Sequence, residues 1–126
     1  MFVCIAIFLF SSQVGSESSQ ISNNLAVRKL GHFSEYLMLG FFSFSYFSNL
    51  FLKSDKFRDF KKTISISWIF SILYAASDEF HQTFVEGRCG NVIDVIIDGS
   101  GAFVGILCSS IIYFMLIKKI KKISLF

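Results

Sequence analysis

The chain contains no proline, two histidines and only three cysteines in 126 residues. Cys4, Cys89 and Cys108 show no C-x-x-C spacing, so neither a disulfide framework nor a structural zinc–thiolate site is expected. Cys4 and Cys108 lie in apolar runs, where a thiol acts as a small hydrophobe, and Cys89 stands alone in a loop. No stretch alternates polar and apolar residues, which excludes a transmembrane barrel. No internal repeat is evident. The apolar segments also lack a polar stripe: they are apolar nearly all round, which fits lipid rather than water outside. With 53% hydrophobic residues, 17 Phe and a mean hydropathy of +0.60, an ordinary water-soluble domain is excluded. The chain reads as one all-α membrane domain over residues 1–126, with no room for a second.

Four apolar segments emerge. The first, Met1 to about Phe10, reaches only ~21 Å at about 1.5 Å per residue even when extended to Val14, against ~30 Å of hydrocarbon. It lacks the basic n-region of a secretory signal. It is read as a short transmembrane helix, or one whose upstream part is absent from this chain. The second runs from about Leu30 to Leu52, and the third from Phe60 or Ile64 to Ala76, continuing into Ser77–Gln82. The fourth runs from about Val92 to Ile117; Gly99 to Ile117 alone comes close to the hydrocarbon thickness. The expected architecture is a small polytopic membrane helix bundle, with three full transmembrane helices plus a short N-terminal one.

Charge is segregated between the connections. Lys53, Lys56, Arg58, Lys61 and Lys62, with Lys118, Lys119, Lys121 and Lys122, face only Asp55 and Asp59 in their half of the molecule. The other half holds Arg28, Lys29 and Arg88 against Glu17, Glu35, Asp78, Glu79, Glu86, Asp94 and Asp98. By the positive-inside rule the first group is cytoplasmic. The expected topology is multi-pass in the cell membrane, with both termini cytoplasmic and loops 11–29 and 83–93 extracytoplasmic. The basic tail reads as a topological anchor that favours anionic lipid, and no nucleic-acid partner is expected.

Every unusual polar residue then falls on the outer side. Lys29, His32, Tyr36 and Gly40 share a stripe of the second segment, with Glu35 at its edge. Taken alone, Arg28 and Lys29 are adequately explained as interfacial anchors and His32 as a locally bonded side chain. On the third, Tyr74, Asp78, His81 and Gln82 share a face, with Glu79 rotated roughly a quarter turn away. A solvated helix end accounts for the acids there, yet leaves unexplained why His81 and Gln82 return to the face of Asp78. Gly87-Arg88 makes a turn, and Asn91 with Asp94 three positions on resembles an N-terminal capping arrangement. Asp98 lies one turn deeper and has no such explanation. Asp94, Asp98, Gly101 and Gly105 form one stripe, so both acids continue into a G-x-x-x-G surface that lets another helix approach closely. A closed network of ion pairs is the structural alternative, and the two histidines are what it fails to explain.

In these residues the chain resembles the VanZ-like family of small bacterial membrane proteins. The resemblance runs from Ser11-Ser12-Gln13 through Lys29-Leu30-Gly31-His32-Phe33-Ser34-Glu35-Tyr36 and Ser77-Asp78-Glu79-Phe80-His81-Gln82 to Gly87-Arg88, Asp94, Asp98 and Gly101. It covers nearly the whole chain in order. Two features depart from the family pattern. Glu86 stands where members often carry proline before the glycine of the turn, and the first helix is shorter than the family norm. The family's prototype is associated with low-level resistance to the glycopeptide teicoplanin; the resemblance implies a class rather than a reaction.

Three functions are compatible with this set. The first places a binding or accessory factor at the outer leaflet, recognising a glycopeptide, a lipid head group, or a lipid-linked or cell-wall ligand through Lys29, Glu35, Glu79, Gln82, Arg88 and Asp94. The second is a membrane-embedded enzyme in which His32 or His81 serves as general acid or base. In that reading Asp78 and Asp98 act beside it, and Arg88 and Lys29 clamp a phosphate or carboxylate. The third is a proton-coupled transport component, which four short helices could support as a homo-oligomer. No spacing demands a metal, so no metal ligands are assigned and the cofactor is left open. Phe41, Phe42, Phe44 and Phe47 read as lipid contact or bundle packing.

Overall fold

Helix ends are set by the punctuation between the apolar segments, and four α-helices result. In a computed structural model that describes residues 2–12, 25–52, 57–88 and 90–123, side chains at 25, 57, 58 and 117–123 excepted, they are α1 (Phe2–Ser11), α2 (Leu25–Phe51), α3 (Phe57–Gln82) and α4 (Val92–Ile123). All four sequence segments recur as helices, and no strand occurs among the described residues. Gln13, Glu17, Lys53, Asp55, Lys56 and Cys89 lie outside the described residues, as do the side chains of Arg58 and Lys118–Lys122.

The principal seam joins α2 to α4, and glycine makes it. A Cβ on Gly101 would stand 2.5 Å from the carbonyl oxygen of Phe33. One on Gly105 would collide with the Leu37 carbonyl, and one on Gly40 with the backbone of Ala102. The expected G-x-x-x-G surface is thus occupied by α2. Backbone-to-backbone approach of this kind maximises dispersion contact where lipid supplies no hydrophobic drive. Ser45 and Ser109 share a hydrogen bond of 2.9 Å one turn further along the same seam.

Burial on α3 is inverted relative to a water-soluble helix. Thr63, Ser67, Ser71 and Ala75, spaced at four residues, are buried, while Trp68, Ile69, Leu73 and Phe80 point outward. Each buried hydroxyl satisfies itself locally: Thr63 donates to the Asp59 carbonyl at 2.8 Å, Ser67 to Thr63 at 2.7 Å and Ser71 to Ser67 at 2.9 Å. That local bonding removes the desolvation cost of an inward hydroxyl. The apolar core is small, formed by Ile7, Tyr36, Leu39, Ala75 and Ala102. The α1 helix is tied on by Tyr74, whose hydroxyl donates to the Cys4 carbonyl at 2.6 Å.

Within α4, Val92–Leu116 is a 25-residue stretch of mean hydropathy 1.9, long and apolar enough to cross a bilayer. Among the described helices it is the one that meets both criteria of length and composition.

Candidate functional site

The start of α2, the end of α3 and the start of α4 meet at one end of the bundle. Between them lies a cavity of about 350 Å³, lined by Arg28, Lys29, His32, Glu79, Gln82, Gly87, Arg88, Asp94, Ile97 and Asp98. Three cationic side chains and three carboxyls thus face one space, with an imidazole among them.

The connection after α3 is built to hold this mouth in shape. Gly87 adopts φ 74°, a left-handed conformation that glycine takes without a steric penalty. Gly90 passes against α3, where a Cβ would strike the Glu79 carbonyl. Asn91 then caps α4: its Oδ1 accepts from the Ile93 N–H at 3.0 Å. The acid three positions on does not complete a capping box. Instead the Asn91 N–H donates to Glu79 Oε2 at 2.9 Å, so the preceding helix supplies the carboxylate. Asp94 is released to pair with Lys29, whose Nζ lies 3.1 Å from its Oδ1, in contact by charge though not aligned as a hydrogen bond.

Gln82 is oriented by its two ends. Its amide donates to Asp78 Oδ2 at 3.2 Å and to Glu79 Oε1 at 3.5 Å, while its carbonyl accepts from Arg88 Nη1 at 3.3 Å. The second guanidinium nitrogen of Arg88 reaches the Phe10 carbonyl at the end of α1, at 3.4 Å. Glu79 lies past the apolar part of α3. Burial pushes its carboxyl above the ordinary range, the Asn91 N–H pulls the other way, and Asp94 and Asp78 reinforce the rise. Burial, with Arg28 nearby, lowers the Arg88 guanidinium, against the pull of Asp78, Glu79 and Glu35. A guanidinium remains charged through such a shift.

Asp98 is different in kind. Its side chain is 0% exposed, and neither carboxyl oxygen has a hydrogen-bond partner among the described residues. The hydroxyl of Tyr36, also buried, is equally unpartnered, as is Nδ1 of His32, which stands 3.9 Å from Glu35 Oε2 and beyond hydrogen-bond reach. A buried polar group normally finds a partner, and these groups have none among the described residues.

A family model described as VanZ/LLP1 matches residues 1–113. The chain belongs to the VanZ/LLP1 family. No curated protein and no solved structure is matched by it. The family match encloses every residue of the cavity and stops short of the basic C-terminal tail.

In this VanZ/LLP1 chain the cavity gathers Lys29, His32, Glu79, Gln82, Arg88, Asp94 and Asp98 from the residues singled out in the sequence. Asp78 stands behind the wall, bonded to Gln82, and Glu35 lies beside His32 without lining it. His81 turns away. Its ring packs on Phe8 of α1, centroids 4.8 Å apart, and the expected single face of Asp78, His81 and Gln82 is split. Glu79 and Gln82 face the cavity instead, which places the centre of the inward face between them; at about 100° per residue His81 is then carried well round the helix. Spacing fixes which residues share a stripe but not how the helix is rotated. Arg28, read from the sequence as an anchor, is a cavity residue, and Tyr36 joins the orphaned set. The signal for both was their place beside Lys29 and His32. Among the described residues no three of His, Cys, Asp and Glu converge as a metal-ligand set.

Proposed function

We propose that this protein is a multi-pass membrane protein in which α2, α3 and α4 span the bilayer and α1 enters it partway. Its cavity opens at the extracytoplasmic end and binds a cell-envelope molecule, as a binding or accessory factor of the glycopeptide-resistance type. Three features support the membrane reading. One is the apolar length of α4. Another is the family. The third is the inverted α3, which turns hydroxyls inward and Trp68, Ile69 and Leu73 outward. At 27 and 26 residues, α2 and α3 are each roughly 40 Å long, more than the ~30 Å of hydrocarbon. Their composition is diluted by the polar groups they bury. Lys61 and Lys62 sit at the far end of α3 from the cavity, in keeping with an outward-facing mouth.

The observation that carries the binding reading is Asp98: wholly buried, without a hydrogen-bond partner for either oxygen among the described residues, and part of a cavity wall. The test is to replace His32, His81, Asp78 and Asp98 singly with Asn, confirm membrane insertion, and score glycopeptide susceptibility beside outer-leaflet lipid composition. Asp98→Asn and His32→Asn are expected to alter susceptibility more than His81→Asn, whose ring packs on Phe8. Four silent substitutions would remove the site. The enzyme reading is favoured by one observation, the unbonded Nδ1 of His32 at the cavity. Lipid species present with the wild type and lost with His32→Asn would establish it.

A further inference from the structure

Within the binding reading, the cavity also specifies the chemistry of its ligand. Lys29 is matched by Asp94, Glu79 by the Asn91 N–H and Gln82, and Arg88 donates to Gln82 and Phe10. Two ionisable side chains of the wall remain. Arg28 has no ion-pair partner among the described residues, and Asp98 has no hydrogen-bond partner among them. One is a donor with a fixed positive charge; the other offers two acceptor oxygens from a dry wall.

We infer that the cavity takes a zwitterionic group carrying one phosphate and one primary amine, with the phosphate toward Arg28 and the ammonium toward Asp98. The phosphate meets the Arg28 guanidinium, and the ammonium supplies the N–H donors that the Asp98 oxygens lack among the described residues. A purely anionic group would satisfy Arg28 and leave the Asp98 oxygens without a donor. A purely cationic one would meet Arg28, Lys29 and Arg88. A quaternary ammonium has the right charge and no N–H to donate, so Asp98 would gain Coulomb attraction without hydrogen bonds. The cavity, at about 350 Å³, is of head-group size. An amine-phosphate of this kind occurs both on a bilayer lipid and on small soluble molecules, and the two sources are separable.

The purified full chain is exchanged into mixed micelles containing equimolar phosphatidylethanolamine, phosphatidylglycerol and phosphatidylcholine. Retained lipid is counted by native mass spectrometry, with and without soluble O-phosphoethanolamine as competitor. Phosphatidylethanolamine is expected to be retained about tenfold over each of the others, the scale of one charge-assisted hydrogen-bond set. Asp98→Asn should abolish the preference over phosphatidylglycerol, while Arg28→Gln, at the cavity rim, should weaken retention of both phosphatidylethanolamine and phosphatidylglycerol. Displacement by O-phosphoethanolamine at micromolar concentration assigns the ligand to the soluble source, and resistance to it assigns the lipid. Equal retention of all three head groups, or a preference that survives Asp98→Asn in a folded variant, overturns the inference and leaves the binding reading standing. Retention of none, with no effect of O-phosphoethanolamine on thermal unfolding, also overturns the inference, while the binding reading falls only if the four Asn substitutions leave glycopeptide susceptibility unchanged. Thermal unfolding of each variant in the same micelles confirms that it is folded.

Discussion

The α2–α4 seam allows a stability effect to be worked out from its geometry. Consider Gly105→Ala beside Gly31→Ala. Both positions lie inside helices, so each substitution gains the same helix propensity, about 1 kcal/mol. They differ in what the new methyl meets. At Gly31 nothing lies within 4 Å. At Gly105 the methyl collides with the Leu37 carbonyl oxygen and stands 2.9 Å from both Leu37 C and Phe41 N. All three are backbone atoms, so no side chain can swing aside. Moving the two 2.9 Å neighbours out to the 3.4 Å of ordinary contact parts the helices by about half an ångström, and the carbonyl oxygen demands more. That displacement also strains the Ser45–Ser109 hydrogen bond one turn away. Overpacking of this kind costs about 1–3 kcal/mol, and a weakened hydrogen bond adds up to about 1 kcal/mol. Propensity cancels in the comparison, so Gly105→Ala should be less stable than Gly31→Ala by roughly 1–4 kcal/mol. The assay is reversible unfolding in mixed detergent micelles followed by circular dichroism. Equal stability of the two variants would refute the close approach of α2 and α4, and with it the position of Asp98 against α2.

Two further outcomes follow from individual contacts. Burial raises Glu79 above the ordinary carboxyl value of 4.5, so between 4.5 and the raised value this site binds more protons in the folded protein than in the unfolded chain. Its contribution to stability is therefore greatest below pH 4.5 and falls as pH rises through the raised value. The difference between wild type and Glu79→Gln, measured against pH in detergent, should decline upward from pH 4.5, and a flat or rising difference contradicts the burial. Tyr74→Phe deletes the hydroxyl that bonds the Cys4 carbonyl, at a cost of about 1 kcal/mol. It should loosen α1 so that Cys4 reacts faster with a membrane-permeant maleimide; an unchanged rate means that α1 is held by other contacts.

What the sequence made legible is governed by whether a feature is local. The stripe Asp94, Asp98, Gly101 and Gly105 is a property of one helix, and its glycines do receive another backbone. The gathering of Lys29, His32, Arg88 and Asp98 follows from helix ends that alternate in direction, which connection order dictates. The rotation of α3 was not legible. It depends on packing the Thr63, Ser67, Ser71 and Ala75 face inward, and that face is small and polar, so it carries no hydrophobic signal. Apolar periodicity marks the wrong side of a helix whose outside is greasier than its inside. The exchange of capping partners was hidden for a different reason. Asp94 stands at the expected position for a capping box, and only the tertiary contact shows that Glu79 has taken the Asn91 N–H.

The structural alternative, a closed polar network that merely fastens helix ends, accounts for most of the site. It explains Lys29 with Asp94, Glu79 with Asn91, and the chain from Asp78 through Gln82 to Arg88 and the end of α1. Those residues would be needed whether or not anything binds. It does not explain Asp98. A fully buried carboxyl with neither oxygen bonded among the described residues forgoes hydration without compensation, and an apolar side chain of similar volume would fill the same space without that cost. The seam does not require it either, since Gly101 and Gly105 bring α2 and α4 together one and two turns away. A group that packing does not use and solvation opposes fits the proposed ligand site better than a fastening role. The substitution that separates the two accounts is therefore Asp98→Asn: a fastening network predicts a protein at least as stable and fully functional, whereas a ligand site predicts a protein at least as stable and impaired.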